Sequence, residues 1–425
     1  MRQSLKIALL TAAGVVAAMR GLLSHEQSPA HASASQERHE RSGGAGRKRW
    51  LWTLAKHFAL FLVVMAIGGF LVAASGVIPI KASSGHWAIT RWFLQFSKGR
   101  SVATHTWGLE APTSLDEPRL VLKGAGAYET NCRACHGNPS LRNPRVAQAM
   151  TPQPPYLPQT IPQWESGELF YIVKHGIKFT GMPAWLAQQR DDEVWAMVAF
   201  LRKFPELDAE GYRRLVSGEA NLNREVAPIQ GLLGPETMPR AITVSCARCH
   251  GMDGLGRGIG AFPKLAGQSP AYLYASLQAF ARKERHSGVM EPNAVGLNDE
   301  EMRELALYYS SLPKLPPSTP SPESSLAIER GAAIAQQGIP TQRVPSCVAC
   351  HGPGDIPRNP VYPELAGQYS DYLALQLELF KQLQRGGTAY THLMHSVAAH
   401  LTPEQMRDVA LYYESLTSAR ERPAQ

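Results

Sequence analysis

The chain has 425 residues, enough for two to four domains, and a formal net charge of +8 at pH 7. The charge is local, because residues 1–57 carry nine Lys/Arg against three Asp/Glu, whereas the other 368 residues carry a net +2. This distribution excludes the extended basic surface that nucleic-acid binding requires, so no nucleic-acid partner is expected.

Residues 1–57 form a polar, basic segment that contains one short apolar run, Ile7 to Met19. The run is too short to span a bilayer, and it resembles the hydrophobic region of a signal peptide, with Ala30-His31-Ala32 as a cleavage site. Cleavage within residues 1–32 would make the next apolar span return the rest of the chain to the cytoplasm, which conflicts with the chemistry of the Cys-x-x-Cys-His motifs farther along the chain. We therefore expect an uncleaved cytoplasmic tail or an over-extended start.

Residues 58–80 predict a single transmembrane helix. Phe58 to Ile80 is a run of 23 residues without charge, long enough to cross about 30 Å of hydrocarbon. Basic residues at 47–49 and Lys56 precede it, so the positive-inside rule predicts a cytoplasmic N-terminus and places everything after the span outside. A buried core helix is the alternative, which the length and flanking charge disfavour.

Residues 81–117 follow the span and include an aromatic stretch, His86 to Phe96. Trp87, Trp92 and Phe93 in this stretch are suited to the outer membrane interface as part of a short amphipathic helix. Packing of the same side chains against the first repeat is the alternative interpretation.

A Cys-x-x-Cys-His-Gly motif occurs three times and contains every cysteine of the chain. This spacing is typical of c-type haem attachment: two thiols on one helical turn form thioethers with one haem, and the adjacent histidine supplies a nitrogen to its iron. The sequence therefore predicts three covalently attached haem c groups. The predicted thioether cysteines are Cys132, Cys135, Cys246, Cys249, Cys347 and Cys350, and the predicted proximal ligands are His136, His250 and His351.

Cys-x-x-Cys also occurs in zinc sites, in dithiol redox pairs and in disulfide frameworks. A zinc site needs a second ligand pair at suitable spacing, and a thioredoxin-like site needs one pair beside a βαβ pattern. A disulfide framework leaves the three histidines unexplained. Three copies that share the His-Gly ending favour haem attachment.

The motifs divide the rest of the chain into repeats. Unit 1 is predicted at 118–204, a connector at 205–240, unit 2 at 241–312, a proline-rich linker at 313–325 and unit 3 at 326–418. Units 2 and 3 share the string Pro-x-Leu-Ala-Gly-Gln and a closing Ala-Leu-Tyr-Tyr helix, and their motif cysteines are 101 residues apart. No run alternates as a strand does, so short helices joined by loops are expected.

Each unit offers one methionine in a predicted loop before its closing helix: Met182, Met290 and Met394, which follow the motif histidines by 46, 40 and 43 residues. Thioether ligation completes a six-coordinate haem and raises its reduction potential. Histidine is the competing ligand in each unit. The histidines near these methionines are His175, His286, His392 and His395.

Pro263 and Pro363 follow their motif histidines by 13 and 12 residues. Their carbonyls are placed to accept the Nδ1–H and orient the ring. In unit 1, Pro154 and Pro155 lie at a longer offset.

These features together resemble the class I cytochrome c family over residues 118–418. Units 2 and 3 resemble the halves of dihaem cytochromes c. Unit 1 is similar to a single-haem cytochrome c through Gly126, Tyr128 and the strings GMPAW and DDEVWAMVAFLR. The resemblance implies an all-α fold, three class I cytochrome c domains in tandem behind one N-terminal transmembrane helix, with crossed terminal helices in each unit. Unit 2 departs from the pattern, because residues 238–245 lack the Gly-x-Tyr helix.

No catalytic triad or phosphate loop stands out, so an electron-transfer protein rather than an enzyme is expected. It would sit on the outer face of the bacterial cytoplasmic membrane with its haem domains periplasmic. Its expected partners are a quinol:cytochrome c reductase or a periplasmic dehydrogenase as donor and a terminal oxidase as acceptor. The alternatives are the cytochrome subunit of an alcohol, aldehyde or sugar-acid dehydrogenase passing electrons to quinone, and an enzyme such as a peroxidase with one open haem.

Overall fold

The computed structural model describes residues 36–78, 80–217, 245–314, 324–353 and 357–416. Within these ranges the regular structure is α-helical with short 3-10 turns, and two isolated bridges are the only β-type pairings. The all-α prediction is therefore confirmed for the described residues. The chain divides into two compact parts, Met1–Ile80 and Lys81–Gln425.

The N-terminal part contains one long helix, α1 (Gln36–Ala74). Its stretch Arg49–Ala74 is 26 residues long with a mean hydropathy of 2.3 and is not buried, so by length and composition it is able to cross a membrane. The helix ends six residues before the predicted Ile80, because Ser75 bonds back to Val72 and Gly76 has a φ of +69°. The predicted cleavage region, residues 1–32, lies outside the described residues.

The C-terminal part holds the three repeats. Unit 1 and its flanks contain α2 (Ala88–His105), α3 (Pro118–Asn131), α4 (Arg133–His136), α5 (Arg145–Gln148), α6 (Leu157–Thr160), α7 (Ser166–His175), α8 (Asp191–Lys203) and α9 (Ala209–Ser217). Unit 2 contains α10 (Ala247–His250), α11 (Pro270–Ala281), α12 (Met290–Ala294) and α13 (Asp299–Ser311). Unit 3 contains α14 (Ser325–Gln337), α15 (Val348–His351), α16 (Ser370–Lys381), α17 (Thr391–Ala399) and α18 (Pro403–Ser415).

The first and last helices of unit 1 cross at a glycine. A Cβ on Gly124 of α3 would stand 2.0 Å from the backbone oxygen of Ala196 in α8, so only glycine permits this approach. Gly331 of α14 plays the same part in unit 3, 2.0 Å by the same measure from the oxygen of Asp408 in α18. Both crossings match the helix arrangement that the resemblance implied. The residues that precede the motif of unit 2, up to 244, lie outside the described residues.

The core of unit 1 extends beyond its predicted end at residue 204. Tyr212 of α9 is buried and lies 5.9–6.3 Å, by ring centroids, from Tyr128, Phe200 and Phe204. Offset and edge-to-face aromatic contacts of this kind stabilise a core beyond the burial of area. Residues 209–217, placed in the predicted connector, therefore pack on unit 1, and residues 218–240 of that connector lie outside the described residues.

Helix α2 has two halves with different environments. Its C-terminal half packs on unit 1, where Val102 is buried and His105 stacks on Tyr171 at 5.4 Å. Its N-terminal half and the residue before it are exposed to solvent: Trp87, Trp92, Phe93 and Phe96 are 55–67% exposed. Packing of these aromatic side chains against unit 1, one of the two sequence interpretations, is therefore wrong.

Candidate haem centres

Each Cys-x-x-Cys-His motif forms a single helical turn that begins beside its first cysteine. Helices α4, α10 and α15 end at Gly137, Gly251 and Gly352, whose φ values of 71°, 79° and 71° are in the left-handed region that favours glycine. The backbone N–H of His136 and of His351 donates to the first cysteine's oxygen at 2.9 Å. All six cysteines are free of disulfide bonds, so every pair remains available for thioether formation.

Each of the three motif histidines is oriented by a hydrogen bond to a proline carbonyl oxygen. Nδ1 lies 3.1 Å from the oxygen of Pro155 for His136, 3.2 Å from Pro263 for His250 and 2.9 Å from Pro363 for His351. A carbonyl oxygen only accepts, so Nδ1 donates and Nε2 keeps its lone pair for iron. The contacts predicted for Pro263 and Pro363 are confirmed, and Pro155 is the partner in unit 1.

Burial also favours the neutral imidazole that a metal ligand must be. It lowers the pKa of His136, His250 and His351, although the hydrogen bonds to the proline carbonyls act in the opposite direction. Each imidazole ring is thus oriented and kept neutral by its own unit.

Units 2 and 3 share one continuous cavity of about 600 Å³. Its walls are largely apolar, and its size is in the range of cofactor sites. Both attachment motifs and both predicted methionines open onto it. The site residues in its wall are Cys246, Cys249, His250, Met290, Cys347, Cys350, His351 and Met394.

The three methionines predicted as distal ligands differ in local structure. Met182 lies in a loop, where its backbone oxygen accepts from the N–H of Ile177 at 3.1 Å. Met290 instead begins α12, and Met394 lies inside α17, so the prediction of a loop is wrong for these two. Met182 is not part of the cavity that units 2 and 3 share.

In units 2 and 3 the predicted methionines line the shared cavity, and the competing histidines do not; in unit 1 neither Met182 nor His175 lines it. None of His175, His286, His392 and His395 lines the shared cavity. His395 uses Nε2 in a 2.7 Å hydrogen bond to the oxygen of Arg385, and the Nδ1 of His392 lies 3.1 Å from the oxygen of Ala389.

Two half-buried arginines form a cationic group in the cavity wall. Arg285 donates to Tyr372 at 3.0 Å, and Arg385 donates to Tyr272 at 2.9 Å. Burial raises the pKa of Tyr272, but the positive charges of both arginines outweigh it and lower that pKa to about 7. Burial and the neighbouring Arg285 lower the pKa of Arg385 although Tyr272 and Tyr372 act in the opposite direction, and no carboxylate of the described residues forms an ion pair with it.

This arrangement fits haem. The Nε of Arg385 is buried without a hydrogen-bond partner among the described residues, and a buried unpaired cation is costly unless an anion joins it. The carboxylates of haem propionates are such anions, and the two attachment motifs open onto the same cavity. Sequence reasoning missed this pair. Its signal is a repeated offset, because Arg285 follows Phe280 as Arg385 follows Phe380.

Comparison with known proteins agrees with this chemistry. Residues 119–201 match the family described as cytochrome c oxidase, cbb3-type, subunit III, and residues 240–313 and 328–417 match the cytochrome c family. The thiosulfate dehydrogenase electron acceptor of Thiomonas intermedia is 36% identical over 39% of this chain and 76% of its own length. Cytochrome c-552 of Acidithiobacillus ferridurans is 34% identical over 42% and 76%, and cytochrome c4 of Thiocapsa roseopersicina is 33% identical over 40% and 87%. The chain belongs to the class I cytochrome c family, as a multi-haem electron carrier.

Proposed function

We propose that this chain is a membrane-anchored trihaem cytochrome that carries electrons on the periplasmic face, from a quinol-oxidising complex or a periplasmic dehydrogenase to a terminal oxidase. The observation that carries the proposal is the shared geometry of the three motif histidines, each with Nδ1 bonded to a proline carbonyl. Three equivalent proximal sites in one chain suit relay of electrons rather than three separate reactions.

The proposed axial pairs are His136 with Met182, His250 with Met290 and His351 with Met394. For the last two pairs, both partners line the same cavity, which supports the assignment. One-electron exchange between ferric and ferrous iron is the chemistry that haem c supplies. The chain's own residues would fill both axial positions and exclude substrate from the iron, as a carrier requires.

The proposed direction of electron flow is based on the proteins that resemble each part of the chain. Two relatives are named thiosulfate dehydrogenase electron acceptor, which supports a periplasmic dehydrogenase as donor. The match of residues 119–201 to a terminal-oxidase subunit family supports an oxidase as acceptor. Unit 1 would then be the unit that passes electrons to the oxidase.

Purification of the tagged chain from its native membranes in mild detergent tests these partners. Co-purifying oxidase or quinol:cytochrome c reductase subunits would support the respiratory role. A flavin, quinoprotein or molybdenum dehydrogenase alone would instead assign the chain to the alternative role, a fixed subunit that passes dehydrogenase electrons to quinone.

The anchor would consist of the Arg49–Ala74 span and the bare end of α2. The exposure of Trp87, Trp92, Phe93 and Phe96 supports an interfacial position, because aromatic side chains favour the boundary between headgroups and acyl chains. In proteoliposomes with bromine-labelled acyl chains, Trp87→Ala/Trp92→Ala should lose part of the tryptophan quenching. Trp107→Ala, which removes a tryptophan that is 88% exposed outside this stretch, is the matched control. Equal quenching in the wild type and the double variant would contradict the placement.

A further inference from the structure

The contact between units 1 and 2 is built around one buried carboxylate. Glu193, in the first turn of α8, is only 4% exposed. Its Oε1 accepts from the hydroxyl of Ser287 at 2.6 Å, and its Oε2 accepts from the backbone N–H of Gly288 at 2.7 Å. Both donors belong to unit 2, in the turn immediately before Met290.

The same carboxylate also serves unit 1. The indole N–H of Trp185 donates to Oε2 at 3.1 Å, and Arg190 lies 3.1 Å from Oε1. With these contacts Glu193 accepts from four donors, which is the number of good acceptor positions on a carboxylate. Trp185 follows Met182 by three residues, so Glu193 links the methionine segments of two units.

The turn before Met290 is held from both units: within unit 2 the backbone N–H of Ser287 donates to Glu291 at 3.0 Å, and unit 1 supplies further contacts. The hydroxyl oxygen of Ser287 accepts from the backbone N–H of Met290 at 3.0 Å, so the contact to Glu193 is transmitted directly to the methionine backbone. Asn131 donates to the oxygen of Gly288 at 2.9 Å, and Arg190 donates to the oxygen of His286 at 2.8 Å.

Steric contacts fix the same docking. A Cβ on Gly288 would stand 2.2 Å from the indole nitrogen of Trp185, so the two methionine segments touch without room for a side chain. On the other side of unit 2, a Cβ on Gly126 of α3 would stand 2.8 Å from the sulfur of Cys249. Unit 1 thus reaches both the attachment cysteine and the methionine segment of unit 2.

We propose that Glu193 is a positioning residue for the second haem: by holding Ser287 and Gly288, docked unit 1 keeps Met290 on the iron of unit 2. This inference rests on the proposed ligation by Met290. The haem of unit 2 then takes the middle place in the relay, between unit 1 at this contact and unit 3 across the shared cavity. The haem of unit 2 is then six-coordinate only while unit 1 is docked.

The methionine segment of unit 1 does not depend on Glu193 in this way. The backbone N–H of Met182 donates to the Thr180 hydroxyl at 3.1 Å, and the backbone N–H of Trp185 donates to the oxygen of Lys174 at 2.9 Å. These bonds lie wholly within unit 1. Loss of the carboxylate should therefore release Met290 and spare Met182.

The test measures carbon monoxide binding by the reduced, full-length trihaem protein. Glu193→Gln places an amide N–H₂ beside either Arg190 or two N–H donors, so at least one contact becomes repulsive. The fraction of chains that bind carbon monoxide should rise about 10- to 100-fold, since loss of a hydrogen bond to a buried charge shifts an equilibrium by that factor. The red charge-transfer band of methionine-ligated ferric haem should weaken in parallel.

A double variant identifies the haem that opens. Glu193→Gln/Met290→Ala should bind no more carbon monoxide than Met290→Ala, because both changes act on one site. Additive binding would mean that the haem of unit 1 had opened instead, and would overturn the proposal. Wild-type binding by folded Glu193→Gln protein would overturn it as well.

Two further variants make the test decisive. Asp408→Asn is the matched control, because Asp408 is an equally buried carboxylate whose partner Arg330, at 2.7 Å, lies in its own unit. It should lower stability and leave carbon monoxide binding unchanged, and a rise there equal to that of Glu193→Gln would overturn the proposal. If Glu193→Gln does not accumulate, Ser287→Ala replaces it with the same expected rise and the same contradicting result.

Failure of the proposed ligation gives a different pattern. If Met290→Ala alone binds no carbon monoxide, Met290 is not the ligand and that part of the proposed function falls. If Met290→Ala opens a haem and both Glu193→Gln and Ser287→Ala do not, only the positioning role is rejected.

Discussion

Gln268 and Gln368 exchange equivalent hydrogen bonds across the contact between units 2 and 3. The side-chain amide of Gln268 donates to the oxygen of Glu364 and accepts from its N–H, and Gln368 does the same with Lys264, at 2.9 Å in all four cases. The repeated string Pro-x-Leu-Ala-Gly-Gln is therefore a docking element with local two-fold symmetry, in which each glutamine satisfies the backbone of the other copy.

Replacement of Gln368 by alanine should destabilise the pair of units. The change leaves the N–H and the oxygen of Lys264 without the partners they have here, and an unsatisfied buried polar group costs about 1–3 kcal/mol. We expect the free energy of unfolding in urea to fall by that amount. Gln382→Ala, at an exposed position just after α16, should stay within about 0.5 kcal/mol of the wild type. Equal losses in the two variants would contradict the docking role.

Alanine at each proposed distal methionine should open one haem at a time. Met182→Ala, Met290→Ala and Met394→Ala should each convert one haem to a high-spin form that binds carbon monoxide and has a lower reduction potential, because the thioether ligand is lost. Absorption spectra and redox titration measure this.

Met302→Ala is the control for those variants, because Met302 is a buried core side chain of α13. It should cost about 2–5 kcal/mol of stability, as large-to-small core changes do, while all haems remain low-spin. A low-spin spectrum in any of the three ligand variants would reject that assignment.

Removal of a half-buried cation from the shared cavity should lower reduction potentials. Arg385→Met takes away a positive charge that opposes oxidation of nearby iron, and the effect expected is tens of millivolts, at about 59 mV for each tenfold change in a one-electron equilibrium. Spectroelectrochemical titration of the intact protein measures it. Arg303→Met, which removes a cation that is 61% exposed and outside the cavity, should leave the potentials unchanged. An equal drop in reduction potential in Arg303→Met would show that the position of Arg385 in the cavity does not matter.

Asp192 should stabilise unit 1 at neutral pH, and this contribution should be lost at low pH. Burial opposes its ionisation, but Lys123 at 2.8 Å and Arg190 at 2.7 Å outweigh burial and hold its pKa well below the usual range. A carboxylate with a lowered folded-state pKa contributes stability above its unfolded pKa and loses it as the pH falls below about 4. Asp192→Asn should therefore cost about 2 kcal/mol at neutral pH, and the difference from the wild type should shrink below about pH 4.

Urea unfolding at several pH values measures this difference. Asp116→Asn, at an exposed carboxylate, should change the free energy of unfolding by no more than about 0.5 kcal/mol at any pH. A gap between wild type and Asp192→Asn that stayed constant down to pH 3 would show that the ion pairs are not its source.

Sequence reasoning predicted the helices well where a strong periodic pattern was present. The closing helices predicted from the Ala-Leu-Tyr-Tyr strings form α13 and α18. It failed for Met290 and Met394, which it placed in loops. Short helices such as α12 carry too few residues for a periodic signal, so packing against neighbouring helices decides whether they form.

The glycines of unit 1 show a second limit. The Gly-x-Tyr pattern drew attention to Gly126, yet the helix crossing depends on Gly124, and Gly126 instead faces Cys249 of unit 2. Both residues lie on α3, and the sequence does not state which neighbour each face meets. That assignment needs the packed structure.

The sequence by itself predicted the attachment chemistry, since thioether formation and the proximal histidine depend on residue types spaced within one helical turn. It also determined the repeat of units 2 and 3 and the carbonyls that orient His250 and His351, because these lie within about a dozen residues along the chain. Only the tertiary structure decided how the units meet. Glu193 and Ser287 are 94 residues apart, and Arg285 and Arg385 come together from different repeats. Such contacts depend on burial and shape across an interface, which no local pattern encodes.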